Sequence, residues 1–488
     1  KTYGRFSKRL MKVYLSILCF IICLSGLSQK KGFDIRKKYS VKQVLEDIDY
    51  SEKYLVKFHP DPFRYISKDS LHAFVLSQKA KIDTPLTEMQ IRFYIKRIVA
   101  KIGCGHTDAA ASKKYAKAIK KTNRPILPLN VFVADSNKLI VLNNLSSDTT
   151  IKPGDEILHI DKRPVNTILK NIYSITTSDG YNETYKKQST RYNSFKYYYS
   201  FCYGFKFDYT VKIKHQNNSI SDYKLRAISS LKDTLILSKK DSLVPLRKTK
   251  TCSYSIIKSS KPIAVLDING FKGARWRSFF RKTFKDIDHQ NIQHLVIDLR
   301  DNGGGQINLG LNLLSYLIDK KIVLPFDKKV NTTSFNPKYK MDFGMRAVPI
   351  MFALRPPERF KNGKLRHYFI AFPKRRKQFK GQIYVLTNGR SFSMSGVTST
   401  YLKHKSNAII IGEETGANVA GSNAAISGKI ILPNSKVIVH IPLYHLYHDI
   451  DVKNEGRGLM SDYPTNYTKE DVLNGEDVDM KKVLELVK

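Results

Sequence analysis

A chain of 488 residues with 42% hydrophobic content can bury a substantial core and divide into two or three units, which excludes a disordered tail. Its 84 Lys and Arg against 42 Asp and Glu give a formal charge of +42, spread along the chain rather than gathered in one block. No zinc-finger spacing, ribonucleoprotein motif or basic heptad accompanies that charge, so the expectation is no nucleic-acid partner but a lysine-rich solvated surface drawn to anionic lipid or acidic polymer.

Near the start, Lys8, Arg9 and Lys12 precede an apolar run over residues 13–24 that ends in Ser25-Gly-Leu-Ser-Gln29. This is the pattern of a signal peptide over residues 1–28, with Met11 as initiator, and the run is short for a membrane span. Export to the periplasm or cell surface is expected. Phe20-Ile-Ile-Cys23 lacks the small residue that precedes a lipidated cysteine, which argues against a lipid anchor there. Cleavage leaves Cys104, Cys202 and Cys252, which make no metal motif and at most one disulfide.

Apolar residues recur at helical intervals over 41–58 and 70–102, separated by His59-Pro-Asp-Pro-Phe63, which must turn. An N-terminal helical unit over residues 29–122 is expected. It contains Gly103-Cys-Gly-His-Thr107, a glycine-flanked histidine at the end of a helix. A histidine standing alone is usually a surface or core residue, so His106 needs support from elsewhere.

Beyond Pro125 the pattern changes to short apolar or alternating runs, over 127–133 and 138–142, and a β-rich unit is expected over residues 123–225. Its clearest mark is Ile151-Lys-Pro-Gly-Asp-Glu-Ile-Leu-His-Ile-Asp-Lys-Arg-Pro-Val165, where Pro-Gly-Asp turns and residues 156–160 alternate as a strand. The arrangement resembles a PDZ domain, which captures an extended peptide or its C-terminal carboxylate by strand addition. An ordinary β-hairpin would carry the same residues.

Residues 226–260 are polar and lysine-rich and read as a connection with one strand-like stretch at 234–237. After them, Ile263-Ala-Val-Leu-Asp-Ile268 and His294-Leu-Val-Ile-Asp-Leu299 read as buried strands with a helix over 276–287 between them. That alternation implies an α/β core over residues 261–470, with a C-terminal helix over 471–488. The second strand empties into Arg300-Asp-Asn-Gly-Gly-Gly305 and a helix over 309–317. Consecutive glycines there let the backbone approach a ligand and offer N–H groups to an anion. No Gly-Lys-Ser/Thr follows, which rules out a phosphate loop.

Further on, Ile383-Tyr-Val-Leu-Thr387 leads into Asn388-Gly-Arg-Ser-Phe-Ser-Met-Ser-Gly396 and then a helix-like segment over 397–402. A buried strand feeding a small-residue turn and a helix lifts a side chain out of the sheet beside the helix's free N–H groups. Ser393 is the candidate nucleophile. The same three serines would also suit a helix cap.

Taken in order, Gly-His-Thr, the Pro-Gly-Asp β unit, Asp-Leu-Arg-Asp-Asn-Gly-Gly-Gly and Asn-Gly-Arg-Ser-Phe-Ser-Met-Ser resemble the tail-specific, or C-terminal processing, serine peptidase family. His59-Pro-Asp-Pro-Phe63, Ile411-Gly-Glu-Glu-Thr-Gly416 and Asn454-Glu-Gly-Arg-Gly458 share in the resemblance. It implies a mixed α+β fold, with a helical unit, a PDZ-like β domain and an α/β core of the crotonase-like ClpP type. It also implies a metal- and cofactor-free serine endopeptidase acting on exported polypeptides.

One branch of the family pairs its serine with a lysine a couple of dozen residues downstream, but here that neighbourhood is Glu413-Glu-Thr-Gly-Ala-Asn-Val-Ala420. The tricorn-like branch uses a histidine as base and a late glutamate in the supporting network, which implies His106 and Glu455. The oxyanion would be met by the Met394 N–H and an N–H of Gly304 or Gly305. Where the family commonly has Ser-Ala-Ser-Ala-Ser-Glu, this chain carries Phe392, Met394 and Gly396. Cys104 and Gly105 likewise stand where an acidic residue and glycine often precede the histidine. A catalytically silent peptide-binding scaffold and a basic surface-binding protein are the alternative readings.

Overall fold

The computed structural model describes residues 33–134, 137–191, 194–230, 243–328, 339–340, 358–359, 365–452 and 455–488. Residues 1–28, read as a signal peptide, the 234–237 stretch and Asn454 lie outside them. The fold is mixed α/β, and its centre is a sheet ordered Arg247–Lys248, Cys252–Ile257, Ile263–Ile268, His294–Asp298, Gln382–Thr387, Ile409–Gly412 and Tyr463–Pro464. From Ile263–Ile268 onward the neighbours run parallel, and the first two strands pair antiparallel.

The near-continuous apolar runs follow from burial of both sheet faces. Ala264, Leu266, Ile268, Leu295, Ile297, Ile383 and Val385 share one core with the helices Trp276–His289, Ile307–Leu314 and Met394–Lys405. Ile263, Val265, Val296, Tyr384 and Leu386 pack on the other face against Val483 and Val487 of the C-terminal helix Val478–Val487. Removing one of these fully buried side chains, such as Leu266, would cost about 2–5 kcal/mol.

Cys252–Ile257 belongs to this sheet, although it falls in the lysine-rich stretch read as a connection. Buried Cys252 and Tyr254 alternate with half-buried Ser253, and that short period-2 signal is masked by the polar residues around it.

A second, antiparallel sheet is ordered Glu358–Arg359, Leu365–Ala371, Ile322–Lys328, Ile438–Leu446 and Asn423–Ile431. The short strand Asp108–Ala110 joins it by pairing with Ile438, Val439 and His440. The N-terminal helices are Val41–Phe58, Lys68–Lys79 and Glu88–Lys101. What the apolar spacing presents as one run over 70–102 is thus two helices. The first ends at Lys79 with Ala80 as its C-cap, and Thr87 starts the second by a capping box in which its N–H donates to Gln90 Oε1 at 2.9 Å.

The β-rich unit has its own sheet, ordered Ile220–Arg226, Asp208–Lys214, Glu156–Ile160, Leu139–Asn144 and Leu129–Val133. Its core includes Val131, Val141, Ile157, Val211 and Ile213, closed by the helices Val165–Ser174 and Ser194–Tyr203. The unit extends past 225, because Ile228–Ser229 pairs with Pro125–Ile126. Cys104, Cys202 and Cys252 are free thiols. Among the described residues, no helix is long and apolar enough to cross a membrane.

Candidate active site

The three serines of the turn have different surroundings. Ser391 is fully buried; its Oγ donates to the Leu299 carbonyl at 2.8 Å and accepts the Asn388 N–H at 3.0 Å. Ser395 is also fully buried. Ser393 is half-buried, occupies the N-cap position of Met394–Lys405 at φ 55° and ψ −124°, and makes no side-chain cap bond. The helix-cap reading therefore does not account for Ser393. A non-glycine residue held there stores about 1–3 kcal/mol of backbone strain, which the packed strand and helix on either side sustain. Next to it, the Met394 N–H heads the helix and has no partner among the described residues.

Asn302 fixes the glycine-rich loop against this turn. It is fully buried; its Nδ2 donates to the Ile268 carbonyl at 2.7 Å, its Oδ1 accepts the Gly304 N–H at 2.9 Å, and its carbonyl accepts the Phe392 N–H at 3.0 Å. Gly304 has φ +94°, and a Cβ on it would lie 2.7 Å from Ser393 Cβ and 2.8 Å from the Met394 nitrogen. Only glycine fits that approach. The expectation of an oxyanion donor is corrected for Gly304, because its N–H is committed to Asn302. Gly305, whose neighbours bond to Phe271, retains an uncommitted N–H among the described residues.

His106 is placed by the strand that follows it. Asp108–Ala110 is held in the second sheet, Lys96 pairs with Asp108, and Ser112 donates from its N–H and Oγ to Glu88 at 2.7 Å each. The imidazole lies on the Phe392 ring with centroids 4.6 Å apart, and Tyr185 packs on Phe392 at 4.9 Å. Thus Phe392, beside the candidate nucleophile, touches the candidate base. No hydrogen bond joins Ser393 to His106, and the ring's Nδ1 is buried without a partner among the described residues. Burial lowers the imidazole pKa, and the nearby Asp179 carboxylate opposes that shift.

Asp179 is the residue that the sequence reading did not single out. It is 3% exposed; Oδ1 accepts the Gly105 N–H at 2.8 Å and Oδ2 the Asn418 N–H at 3.3 Å. Burial raises its carboxyl pKa, and His106 opposes that shift. It arrives on a β-unit loop sewn to the N-terminal helical unit by Gly180 N–H to the Gly103 carbonyl at 2.9 Å, and to the core by Tyr181 N–H to the Gly456 carbonyl at 2.8 Å and Asn182 Nδ2 to the Thr415 carbonyl at 2.9 Å. The local signal was weak: Thr176-Thr-Ser-Asp-Gly180 reads as an ordinary polar loop.

The expectation for Glu455 is corrected. Its side chain is exposed and bonds to Arg64 Nε at 2.6 Å rather than supporting His106. Tyr181 draws the Gly456 backbone inward, while Arg64, which also reaches His445 Nε2 at 2.8 Å, holds Glu455 on the outer side. Glu413 and Glu414 brace the turn. Glu413 accepts the Gly389 N–H at 3.1 Å and pairs with Arg191, and Glu414 accepts the Gly458 N–H at 2.7 Å. Among the described residues, no group of three or more His, Cys, Asp or Glu side chains is arranged to hold a metal ion.

No curated protein matches the chain in sequence. Two similar solved structures are mature CPAF complexed with lactacystin, with TM-score 0.63, 15% identity and coverage of 92% of this chain and 98% of that one, and mature CPAF, with TM-score 0.62, 15% identity and coverage of 92% and 97%. At that identity the likeness is one of fold. Residues 262–464 match the model of Peptidase family S41, a span that contains the glycine-rich loop, the Ser393 turn and Glu413–Gly458. Over that span the chain is similar to peptidase family S41, and this match supports a serine peptidase.

Proposed function

We propose that this chain is an exported serine endopeptidase in which Ser393 attacks the substrate carbonyl and His106 takes its proton. The observation that carries this reading is the backbone of Ser393: the one half-buried serine of its turn is held at positive φ, makes no cap bond, and sits beside an unpartnered helix N–H. A serine hydroxyl needs a base at neutral pH, and an imidazole kept neutral by burial meets that need. Substrate would complete the alignment, since catalytic hydrogen bonds are often long before the Michaelis complex forms. Asp179, in place of Glu455, supplies the negative charge that stabilises the imidazolium. The Met394 and Gly305 N–H groups are the oxyanion donors in this reading.

The β-rich unit, read as PDZ-like, presents extended or C-terminal peptide, and the basic run ahead of residues 13–24 supports export. A second reading, a silent peptide-binding scaffold, is favoured by one observation: the Phe392 ring lies on His106, and no bond links the base to Ser393. Labelling of the mature chain with a fluorophosphonate probe separates the two. Labelling lost in Ser393→Ala and sharply reduced in His106→Ala supports the peptidase, whereas a folded native chain that does not label supports the scaffold.

A further inference from the structure

In a chain of +42, cationic surface is common, so charge by itself singles out nothing. One place combines it with exposed apolar side chains. The strand Leu365–Ala371 ends with Ile370 37% exposed and Phe372, just beyond it, 62% exposed, while Ala371 between them is buried. The alternation puts both on one side. Pro373 and Lys374 follow, then the exposed turn Arg375–Lys377. Residues 365–405 contain no Asp or Glu.

Beside that turn is an open cavity of about 530 Å³ lined by Arg277, Ser278, Arg281, Asn312, Tyr316 and Lys374. Arg277 and Arg281 are one turn apart on Trp276–His289. Lys374 is fixed over the cavity wall, its N–H bonded to the Ser315 carbonyl at 2.7 Å and its Nζ 3.9 Å from the centre of the Tyr316 ring. Asp286 is engaged by Arg247 and Asp319 by Lys380, while Asp288, exposed two turns beyond Arg281 on the same helix, pairs with none of the three cations. No carboxylate pairs with Arg277, Arg281 or Lys374 among the described residues.

We propose that this face docks the protein on an anionic phospholipid surface, with Phe372 entering the headgroup boundary and Arg277, Arg281 and Lys374 gathering a lipid phosphate. Exposed apolar side chains next to basic ones are what an interfacial site requires, since insertion and attraction to anionic headgroups add. An acidic polymer would use the cations but leave Phe372 without a role, and that difference favours the membrane. Docking is independent of the peptidase reading and needs no membrane-spanning helix.

The test is cosedimentation of the full chain with vesicles of phosphatidylcholine alone and with about 30% phosphatidylglycerol, at two salt concentrations. Expected is binding to the anionic vesicles that weakens with salt, falls about tenfold or more in Arg277→Gln/Arg281→Gln/Lys374→Gln, and also falls in Phe372→Ser. The triple change Lys113→Gln/Lys117→Gln/Lys120→Gln, on exposed positions of the helix Lys113–Lys121, removes equal charge and should leave binding near that of the native chain. Equal weakening by this control would overturn the proposal, as would native affinity in Phe372→Ser. Binding of polyglutamate or inorganic phosphate without partition onto anionic vesicles would overturn it in favour of a soluble anion. All substituted positions except half-buried Lys374 are exposed, and thermal unfolding of each variant verifies its fold.

Discussion

Burial is the main influence on the protonation of both His106 and Asp179, and each of the two partly opposes that shift in the other. Burial pushes the imidazole below its ordinary range, so it stays neutral into mildly acidic solution, and in the proposed mechanism the Asp179 carboxylate favours the imidazolium formed during attack. Replacing Asp179 with Asn removes the charge and keeps an acceptor for the Gly105 N–H. The imidazole pKa should then fall further. The expected outcome is a kcat lower by on the order of tenfold or more, little change in KM, and an acid limb of kcat/KM moved to lower pH. A pH–rate profile of both chains on a peptide substrate checks this. A purely structural Asp179 would change thermal stability and leave the acid limb in place. His106 was legible because glycines flank it in a recognisable motif. Asp179 was not, because a carboxylate in a polar loop acquires meaning only when 3% exposure and an imidazole are added to it.

At the scale of elements, Arg300 ties the C-terminal helix to the strand that leads into the glycine-rich loop. Its guanidinium meets Asp298 at 2.7 Å, Asp477 at 2.7 Å and Asp479 at 2.8 Å, and Tyr467 closes the cluster. Burial by itself would raise the Asp477 carboxyl, but the hydrogen bonds from Arg300 hold it below its ordinary range, whereas burial outweighs Arg300 at Asp479 and raises that carboxyl, so the loss below the ordinary range comes from Asp477. A carboxyl depressed in the folded state contributes stability above its unfolded pKa and loses it as pH falls through the folded one. Acid below about pH 4 should therefore loosen Val478–Val487 early, seen as faster amide exchange in that helix. Arg300→Gln leaves several carboxylates facing each other and should cost about 3 kcal/mol, read from the urea midpoint. Arg300 was visible in sequence only as a neighbour of the glycines. Its C-terminal partners Asp477 and Asp479 lie at sequence separations of 177 and 179, so pattern reading had no means of joining them to it.

Across the whole molecule, the candidate site is assembled from parts remote in the chain: His106 after the helical unit, Asp179 from the β-rich unit, and Gly305 and Ser393 from the core. Seating of the β-rich unit therefore governs catalysis in the proposed reading. Gly180 has φ +54°, and a Cβ there would fall 2.4 Å from the Gly456 carbonyl oxygen. Gly180→Val should separate the two units at this contact. The expected result is loss of fluorophosphonate labelling with faster proteolytic cleavage around residues 176–189, while far-UV circular dichroism stays close to that of the native chain. The sequence by itself determined the parallel core strands, the β-rich unit, the strand–turn–helix around Ser393 and the glycine-rich turn, because hydrophobic period and turn chemistry act over a few residues. Only the tertiary structure decided that Asp179 comes within electrostatic reach of His106, that Glu455 turns out to Arg64, and that Asn302 takes the Gly304 N–H. Those outcomes depend on which groups burial brings together across long separations, and burial is a property of the packed chain rather than of any segment of it.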